Sequence, residues 1–301
     1  MSNHGFGLRR ALHRTASLAA AMTILLAFGA SGVAAARPVD AEVMDAQGIV
    51  HVRGAGHAGN AASNPNLLYH GGAIMTGSTI KSIFWGPSWS TSAGDKVTGL
   101  HRFYGGIGVD GIPYLNTNTE YAGTNGPVGT GVTYQGYTFD KTSAPRKAPS
   151  TSQVLAVVAR SITDPVANGY YPVYSDQKRG RAGYCAWHSY GSINNVPVQF
   201  AFFFNLDGDP GCDPQDPGTI HSQGLEAVAN VSGHELSEAV TDPRNGGWWD
   251  ASGAENSDKC AWTFGGNVTI GGQDWKIQGN WSNAAYNTRS GYDGAGCIQT
   301  K

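Results

Sequence analysis

The sequence predicts an α+β fold in which a mixed β-sheet packs on one long helix, followed by an irregular, disulfide-linked C-terminal part. Apolar runs with strand character dominate the chain up to residue 204, and a long helical pattern covers 225–241. Turn residues prevail after that helix. The 301 residues are enough to bury one large core.

The individual elements follow from local patterns. An apolar run over 80–85 predicts the first strand. Two short helices are expected after it, one capped by Thr91 or Ser92 and one by Ser150 or Ser152. Three further strands are predicted over 171–174, 184–190 and 196–204.

The composition excludes several classes of protein. Charged residues make up 14% of the chain and aromatic residues 10%, which is the reverse of the balance in disordered proteins. The net charge of −2 does not provide the basic field of a nucleic-acid-binding protein. We therefore expect a folded protein without a nucleic-acid partner. A monomer is also expected, although no feature of the sequence bears on the oligomeric state.

The first segment has the features of a secretory signal peptide. Residues 1–36 begin with basic residues, continue with an uncharged apolar stretch over 18–30 and end in small residues before Arg37. The apolar stretch is too short for a comfortable membrane span. Residues 37–66 are interpreted as a linker or pro-segment, and a single domain is expected over 67–301. The mature protein is expected to be secreted, with the periplasm or cell wall as alternatives, and free of the membrane.

Four cysteines support an oxidising location. An even number of cysteines in an exported chain predicts two disulfides. Three pairings are open, and we favour Cys185 with Cys212 and Cys260 with Cys297, since each pair joins neighbouring elements.

The helix predicted over 225–241 carries the strongest chemical signal. His234 and Glu238 lie four residues apart, on one helical face, where they can hold one metal ion. Glu235 is adjacent and is placed to take a proton from water at the ion. The pattern resembles the H-E-x-x-H helix of zinc peptidases, with Glu in place of the second His.

A third ligand must come from elsewhere in the chain. Gluzincin-type peptidases take a Glu from a following segment, and an Asp one turn later orients the first His. By that resemblance we expect Glu255 to be the ligand and Asp258 the partner of His234, although the two roles could be exchanged. Zinc is the expected ion, and the oxygen-rich ligands make Mn²⁺ or Ca²⁺ alternatives. The neutral ligand set also predicts slow hydrolysis or none.

A solvated helix face is the simpler interpretation of Glu235 and Glu238. Against it, four of the six glutamates fall within 226–255, and an acidic cluster buried among aromatic residues needs a cation. Three tryptophans flank this region: Trp248, Trp249 and Trp262.

The order of several motifs resembles that of the phosphate-induced protein 1 family, which includes the plant EXORDIUM proteins. The likeness covers about residues 68–300 and is carried by the motifs at 69–72, 83–89, 185–188, 232–239, 241–243, 248–249 and 255–260. The resemblance implies an exported or cell-wall protein that shares the fold of that family. It implies no particular reaction.

The sequence leaves three functions open. The first is a zincin-like metallopeptidase that acts on a peptide substrate, with His188 as a proton donor or oxyanion contact. His188 could instead be a packing residue beside Trp187. The second is a non-catalytic protein that binds a cell-wall polymer, because the tryptophans at 248, 249, 275 and 281 can stack on sugar rings. The third is a glycosidase that uses Glu235 with Glu238 or Glu255.

Overall fold

The computed structural model describes residues 44–55, 65–109, 113–215, 218 and 220–301, so the predicted signal peptide lies outside the described residues. Five helices lie within these ranges: α1 (Lys96–Ile107), α2 (Pro113–Asn116), α3 (Thr151–Ser161), α4 (Gln223–Thr241) and α5 (Asn283–Thr288). The strands of the same ranges are β1 (Gln47–His51), β2 (Leu68–Tyr69), β3 (Ser78–Trp85), β4 (Ala122–Gly123), β5 (Gly126–Pro127), β6 (Val132–Asp140), β7 (Gly169–Lys178), β8 (Tyr184–Ile193), β9 (Val196–Asn205), β10 (Trp248–Trp249), β11 (Val268–Ile270), β12 (Gln273–Trp275), β13 (Asn280–Trp281) and β14 (Cys297–Ile298).

One mixed sheet of six strands organises the fold, in the order β1-β8-β9-β7-β3-β6. Strands β6, β3, β7 and β9 run parallel to one another, whereas β8 is antiparallel to β9 and β1 is antiparallel to β8. The predicted α+β class with a mixed sheet is confirmed.

The sheet begins earlier in the chain than the sequence analysis expects. Strand β1 lies inside the predicted linker or pro-segment, and it pairs with β8 at one edge of the sheet. Its Val50 side chain is completely buried in the core. The chain is therefore ordered well before Leu67, where the folded part was expected to start.

The two short helices differ in how well the sequence predicts their starts. Helix α3 begins after its predicted cap Ser150, whose side chain accepts from the backbone of Gln153 in a reciprocal capping box. Helix α1 begins after Asp95 rather than at Thr91 or Ser92. The Asp95 carboxylate instead accepts hydrogen bonds from the backbone and hydroxyl of Ser222, at 2.8 and 2.6 Å. This contact joins the starts of α1 and α4.

Helix α4 is buried along almost its whole length, from residue 224 to residue 241. Its first turn is capped by the Ser222 hydroxyl, which accepts from the backbone of Leu225. It packs against β7, β8, β9 and α1. A helix enclosed on all sides is normally apolar, and the polar side chains of α4 therefore need partners from the surrounding elements.

The irregular C-terminal part is held to α4 by buried polar side chains. The Ser257 hydroxyl donates to the carbonyl oxygen of His234 at 3.2 Å and to Asn280 at 2.7 Å. Asn280 in turn donates to the Ser237 hydroxyl at 3.0 Å. The segment around residue 257 is thereby fixed against the middle of the helix.

All four cysteines form disulfides, and the pairs are the predicted ones: Cys185 with Cys212 and Cys260 with Cys297. In the parts of the chain that the structure describes, no helix has the length and apolar character needed to cross a membrane.

Removing the second disulfide should loosen the segment at 255–260. We expect replacement of Cys260 and Cys297 by Ser to lower the free energy of unfolding by about 2–4 kcal/mol. Hydrogen exchange measured by mass spectrometry should become faster over 255–260. The matched control replaces Cys185 and Cys212, and exchange at 255–260 should then stay near that of the parent. Equal acceleration in both variants would contradict a local role for the second disulfide.

Candidate metal centre

Six ionisable side chains from three elements converge beside α4, and we call them the acidic–histidine cluster. Strand β8 supplies one of them, α4 supplies three, and the segment after β10 supplies two. They are His188, His234, Glu235, Glu238, Glu255 and Asp258.

One half of the cluster is centred on His234. Its Nε2 lies 2.9 Å from Glu238 Oε1, as expected for residues four apart on a helix. Asp258 Oδ1 lies 3.5 Å from the same nitrogen. Each of the three residues offers an atom within 4.8 Å of the others, which is a spacing suited to one metal ion.

The other half is centred on His188. Its Nε2 lies 3.3 Å from Glu255 Oε1 and 3.7 Å from Glu238 Oε2. His188, Glu235 and Glu238 also offer atoms within 4.8 Å of one another. Glu238 therefore belongs to both halves, and its two oxygens face different histidines.

Strand β8 delivers His188 into the cluster. His188 is buried, whereas its neighbour Trp187 packs on Phe200 and Phe202 of β9. Successive side chains of a strand point to opposite faces, so the two residues serve different layers. Of the two interpretations left open by the sequence, the structure shows His188 among the acidic side chains rather than beside Trp187.

The acidic oxygens of the cluster are not satisfied by the protein alone. Both carboxylate oxygens of Glu235 are buried and have no hydrogen-bond partner, and the same holds for Oε2 of Glu238 and of Glu255. A buried polar atom without a partner costs about 1–3 kcal/mol. Several such atoms at one point fit a bound cation, which would neutralise them together.

Burial also displaces the pKa values of the acidic residues. Loss of solvent raises the pKa of Glu238 to about 7 and raises the pKa of Glu235 and Glu255 well above the usual range. Without a cation, the cluster therefore retains protons near neutral pH. A metal ion would displace them on binding.

The two histidines are driven in opposite directions. Burial, with help from the charge of His234, lowers the pKa of His188 to about 3, so His188 is neutral at physiological pH. Burial also opposes charge on His234, but the carboxylates of Glu238 and Asp258 outweigh it and raise the pKa of His234 well above its usual value.

Gln278 is a site residue that the sequence analysis missed. Its side-chain amide nitrogen lies 2.9 Å from His234 Nδ1 and donates to the carbonyl oxygen of Ser257 at 2.8 Å. A histidine that binds a metal through Nε2 carries its proton on Nδ1 and needs an acceptor there. Metal binding through Nε2 would therefore need the Gln278 amide to turn, at the cost of its hydrogen bonds to the Ser257 carbonyl oxygen and from the Trp262 backbone nitrogen. No spacing or motif in the sequence points to this residue.

The two acidic residues of the segment after β10 lie in different halves of the cluster. Glu255, the predicted ligand, lies beside His188, while Asp258, the predicted partner, lies beside His234. The backbone nitrogen of Asp258 also donates to Glu238 Oε1 at 2.9 Å. The sequence analysis left the exchange of these two roles open, and the placement of both residues favours it.

A cleft of about 260 Å³ opens next to the cluster. Glu255 and Gly48 of β1 both line it, and Gly48 also lies against Glu238 Oε2 and the His188 ring. Trp249, which stacks on His70, closes another side. The other lining residues are Gln47, Asp242, Asn245 and Gly253.

Comparison with known proteins returned no match for this chain among protein-family models, curated proteins or solved structures. The functional argument therefore depends on the geometry and chemistry of the acidic–histidine cluster.

Replacing Glu238 by Gln should change the pH dependence of stability in the metal-free protein. The pKa of Glu238 is raised to about 7, so the folded state holds a proton that the unfolded state releases at lower pH. Stability from this group is complete below its unfolded pKa and is lost as the pH rises through about 7.

Thermal melts after chelation measure this effect. From about pH 5 to about pH 8, the melting temperature of the parent should fall relative to that of Glu238→Gln. Parallel curves would show that Glu238 does not titrate in this range.

Proposed function

We propose that this protein is an exported, zincin-like metalloprotein that hydrolyses peptide bonds. The observation that carries the proposal is Glu235, a buried Glu with two unpartnered oxygens that lies with His188 and Glu238, while Glu238 also belongs to the group of His234 and Asp258. A candidate general base, a candidate cation site and a second histidine therefore lie close together. Metal-assisted hydrolysis of an amide uses groups of these kinds.

His234, Glu238 and Asp258 are the residues that would hold the ion. One imidazole and two carboxylates are a donor set that zinc accepts, and the two negative charges offset a divalent cation. Mn²⁺ also accepts this set, while the nitrogen ligand disfavours Ca²⁺, which prefers oxygen alone. When bound, the ion supplies Lewis acidity that polarises the substrate carbonyl.

The remaining residues of the cluster have distinct roles in this proposal. Glu235 takes a proton from the attacking water, whose oxygen bonds to the carbonyl carbon. When the carbon–nitrogen bond breaks, Glu235 returns that proton to the departing amine. His188 stays neutral and donates a hydrogen bond to the negative charge that develops on the carbonyl oxygen. Without substrate, the single N–H of His188 can donate from Nε2 to Glu255 Oε1 at 3.3 Å, and the same N–H would turn to the carbonyl oxygen when substrate binds.

Export is part of the same proposal. The protein has two disulfides, and disulfides form and persist in oxidising compartments outside the cytosol. The resemblance to EXORDIUM-like proteins also favours a location outside the cell.

The alternative function is a non-catalytic extracellular protein that binds a cell-wall polymer. Two of the four tryptophans considered for sugar stacking do not favour it. Trp275 is fully buried and Trp281 is 6% exposed, so neither presents a face to a sugar ring. Trp249, on the wall of the cleft, is the tryptophan best placed for such a role.

Metal content and turnover together test the proposal. Elemental analysis of the purified protein should give about one zinc per chain, which should be lost when His234 and Glu238 are replaced by Ala. Glu235→Gln should keep the metal and lower peptide turnover by about 10²–10⁴-fold, the usual contribution of a general base.

Glu226→Gln is the matched control for Glu235→Gln. It changes a buried Glu on the same helix that lies outside the cluster and accepts from the backbone of Lys276. It should keep both metal and turnover. Metal without turnover in the parent would favour the alternative function, and absence of metal would remove the proposal.

The exchanged roles of Asp258 and Glu255 have their own test. Asp258→Asn should weaken zinc binding, measured by competition with a chromogenic chelator, by about 10–100-fold or more. Glu255→Gln should change zinc affinity less and lower turnover through His188. The opposite order would restore Glu255 as the ligand.

A further inference from the structure

We infer that residues 44–51 occupy the binding groove of the protein and mark it as a groove for an extended peptide. The inference deepens the proposed function, on which its catalytic consequence rests. In this view β1 is a removable strand that covers the acidic–histidine cluster, and a peptide substrate pairs with the same edge of β8 after β1 has left.

The backbone contacts of this segment are those of a bound peptide strand. Strand β1 pairs antiparallel with β8 and has no second neighbour in the six-stranded sheet. Its register places Gln47 opposite His188, which is the β8 residue of the cluster. The Ser189 hydroxyl adds hydrogen bonds to the carbonyl oxygens of Met44 and Asp45, at 3.0 and 3.1 Å. Pairing along a sheet edge is a general mode of peptide recognition.

Gly48 is the residue of β1 that lies against the cluster. A side chain at this position would collide with Glu238 Oε2 and with the imidazole of His188. Its φ of +48° is also in the left-handed region, which favours glycine. The backbone of Gly48 therefore takes up the space beside His188 and Glu238 Oε2, in the half of the cluster centred on His188, and nothing larger than glycine fits there.

The pairing of β1 is less regular than that of the other strands at this end of the sheet. Its register with β8 is interrupted twice, between Gln47 and Val50 and between Val50 and His51. The pairing of β8 with β9 runs without a break over eight residues. Gln47 also keeps a buried side-chain oxygen without a partner. These features make the pairing of β1 weaker than that of β8 with β9, while Val50 in the core and the hydrogen bond from Trp262 to the His51 carbonyl oxygen hold the strand until the chain is cut.

Removal of β1 would enlarge the cleft that lies beside it. Gln47 and Gly48 form part of the wall of the 260 Å³ cleft, and Glu255 lies on the same wall. Without β1, the cleft would join the front of the cluster and leave the edge of β8 unpaired. The substrate class is then an extended peptide with glycine, or a bond next to glycine, at the position of Gly48.

The test uses the full chain with a site for a sequence-specific protease inserted between Gly54 and Ala55, both of which are exposed. A fluorescent peptide with the sequence of residues 44–55 is added before and after cutting, and its anisotropy is measured without metal. We expect the cut protein to bind the fluorescent peptide. The uncut protein should not bind it, because its own β1 occupies the groove.

Two peptide variants make the test specific. Gly48→Val should bind at least about 10-fold more weakly than the parent peptide, because the added side chain would collide with Glu238 Oε2 and the His188 ring. Gly54→Val is the matched control. Gly54 also has a positive φ, of +80°, but a side chain there meets nothing within 4 Å, so this peptide should bind like the parent.

The outcomes separate this inference from the proposed function. Failure of the cut fragment to leave, failure of the cut protein to take up the peptide, or equal binding of the Gly48→Val peptide would each overturn the inference. Uptake without any peptide hydrolysis in the zinc-loaded cut protein would support the groove and overturn the catalytic proposal. Equal hydrolysis before and after cutting would leave the catalytic proposal intact and remove the inhibitory role of β1.

Discussion

The burial of α4 is the constraint on which the rest of this structure depends. A helix enclosed from residue 224 to residue 241 is expected to be apolar, yet this one carries His234, Glu235 and Glu238 at its centre. Each of these groups loses its solvent, which raises the free energy of its charged form. The surrounding elements therefore have to supply hydrogen bonds, opposite charge or a cation.

The surrounding elements supply this compensation unequally. The C-terminal part provides hydrogen bonds through Ser257, Gln278 and the backbone of Asp258, all directed at His234 or Glu238. Glu235 receives none at its two oxygens. The network thus fixes the groups that would hold an ion and leaves unbonded the group that would exchange a proton. The residues held by hydrogen bonds, His234 and Glu238, and the residue without them, Glu235, therefore lie within one or two turns of α4.

Local patterns were sufficient to predict the helix, its two facing residues and the disulfide pairs, because each depends on spacing along the chain. The roles of Glu255 and Asp258 were not fixed by the sequence, since they depend on how one short turn is oriented against α4. Gln278 was missed because tertiary contacts alone bring it to His234. Strand β1 was missed because an isolated short apolar run has no strand signal of its own until β8 provides a partner.

The unpaired oxygens of the cluster connect its chemistry to its stability. Each one raises the free energy of the metal-free fold, so a cation that binds the folded state alone would stabilise the protein as well as complete the site. The backbone of Gly48 does not relieve this cost, because both oxygens of Glu235 and the Oε2 atoms of Glu238 and Glu255 still have no hydrogen-bond partner. If both proposals hold, the covered cluster can bind a cation while it is closed to substrate. Cation binding would then depend on α4 with its C-terminal partners, and substrate access on β1.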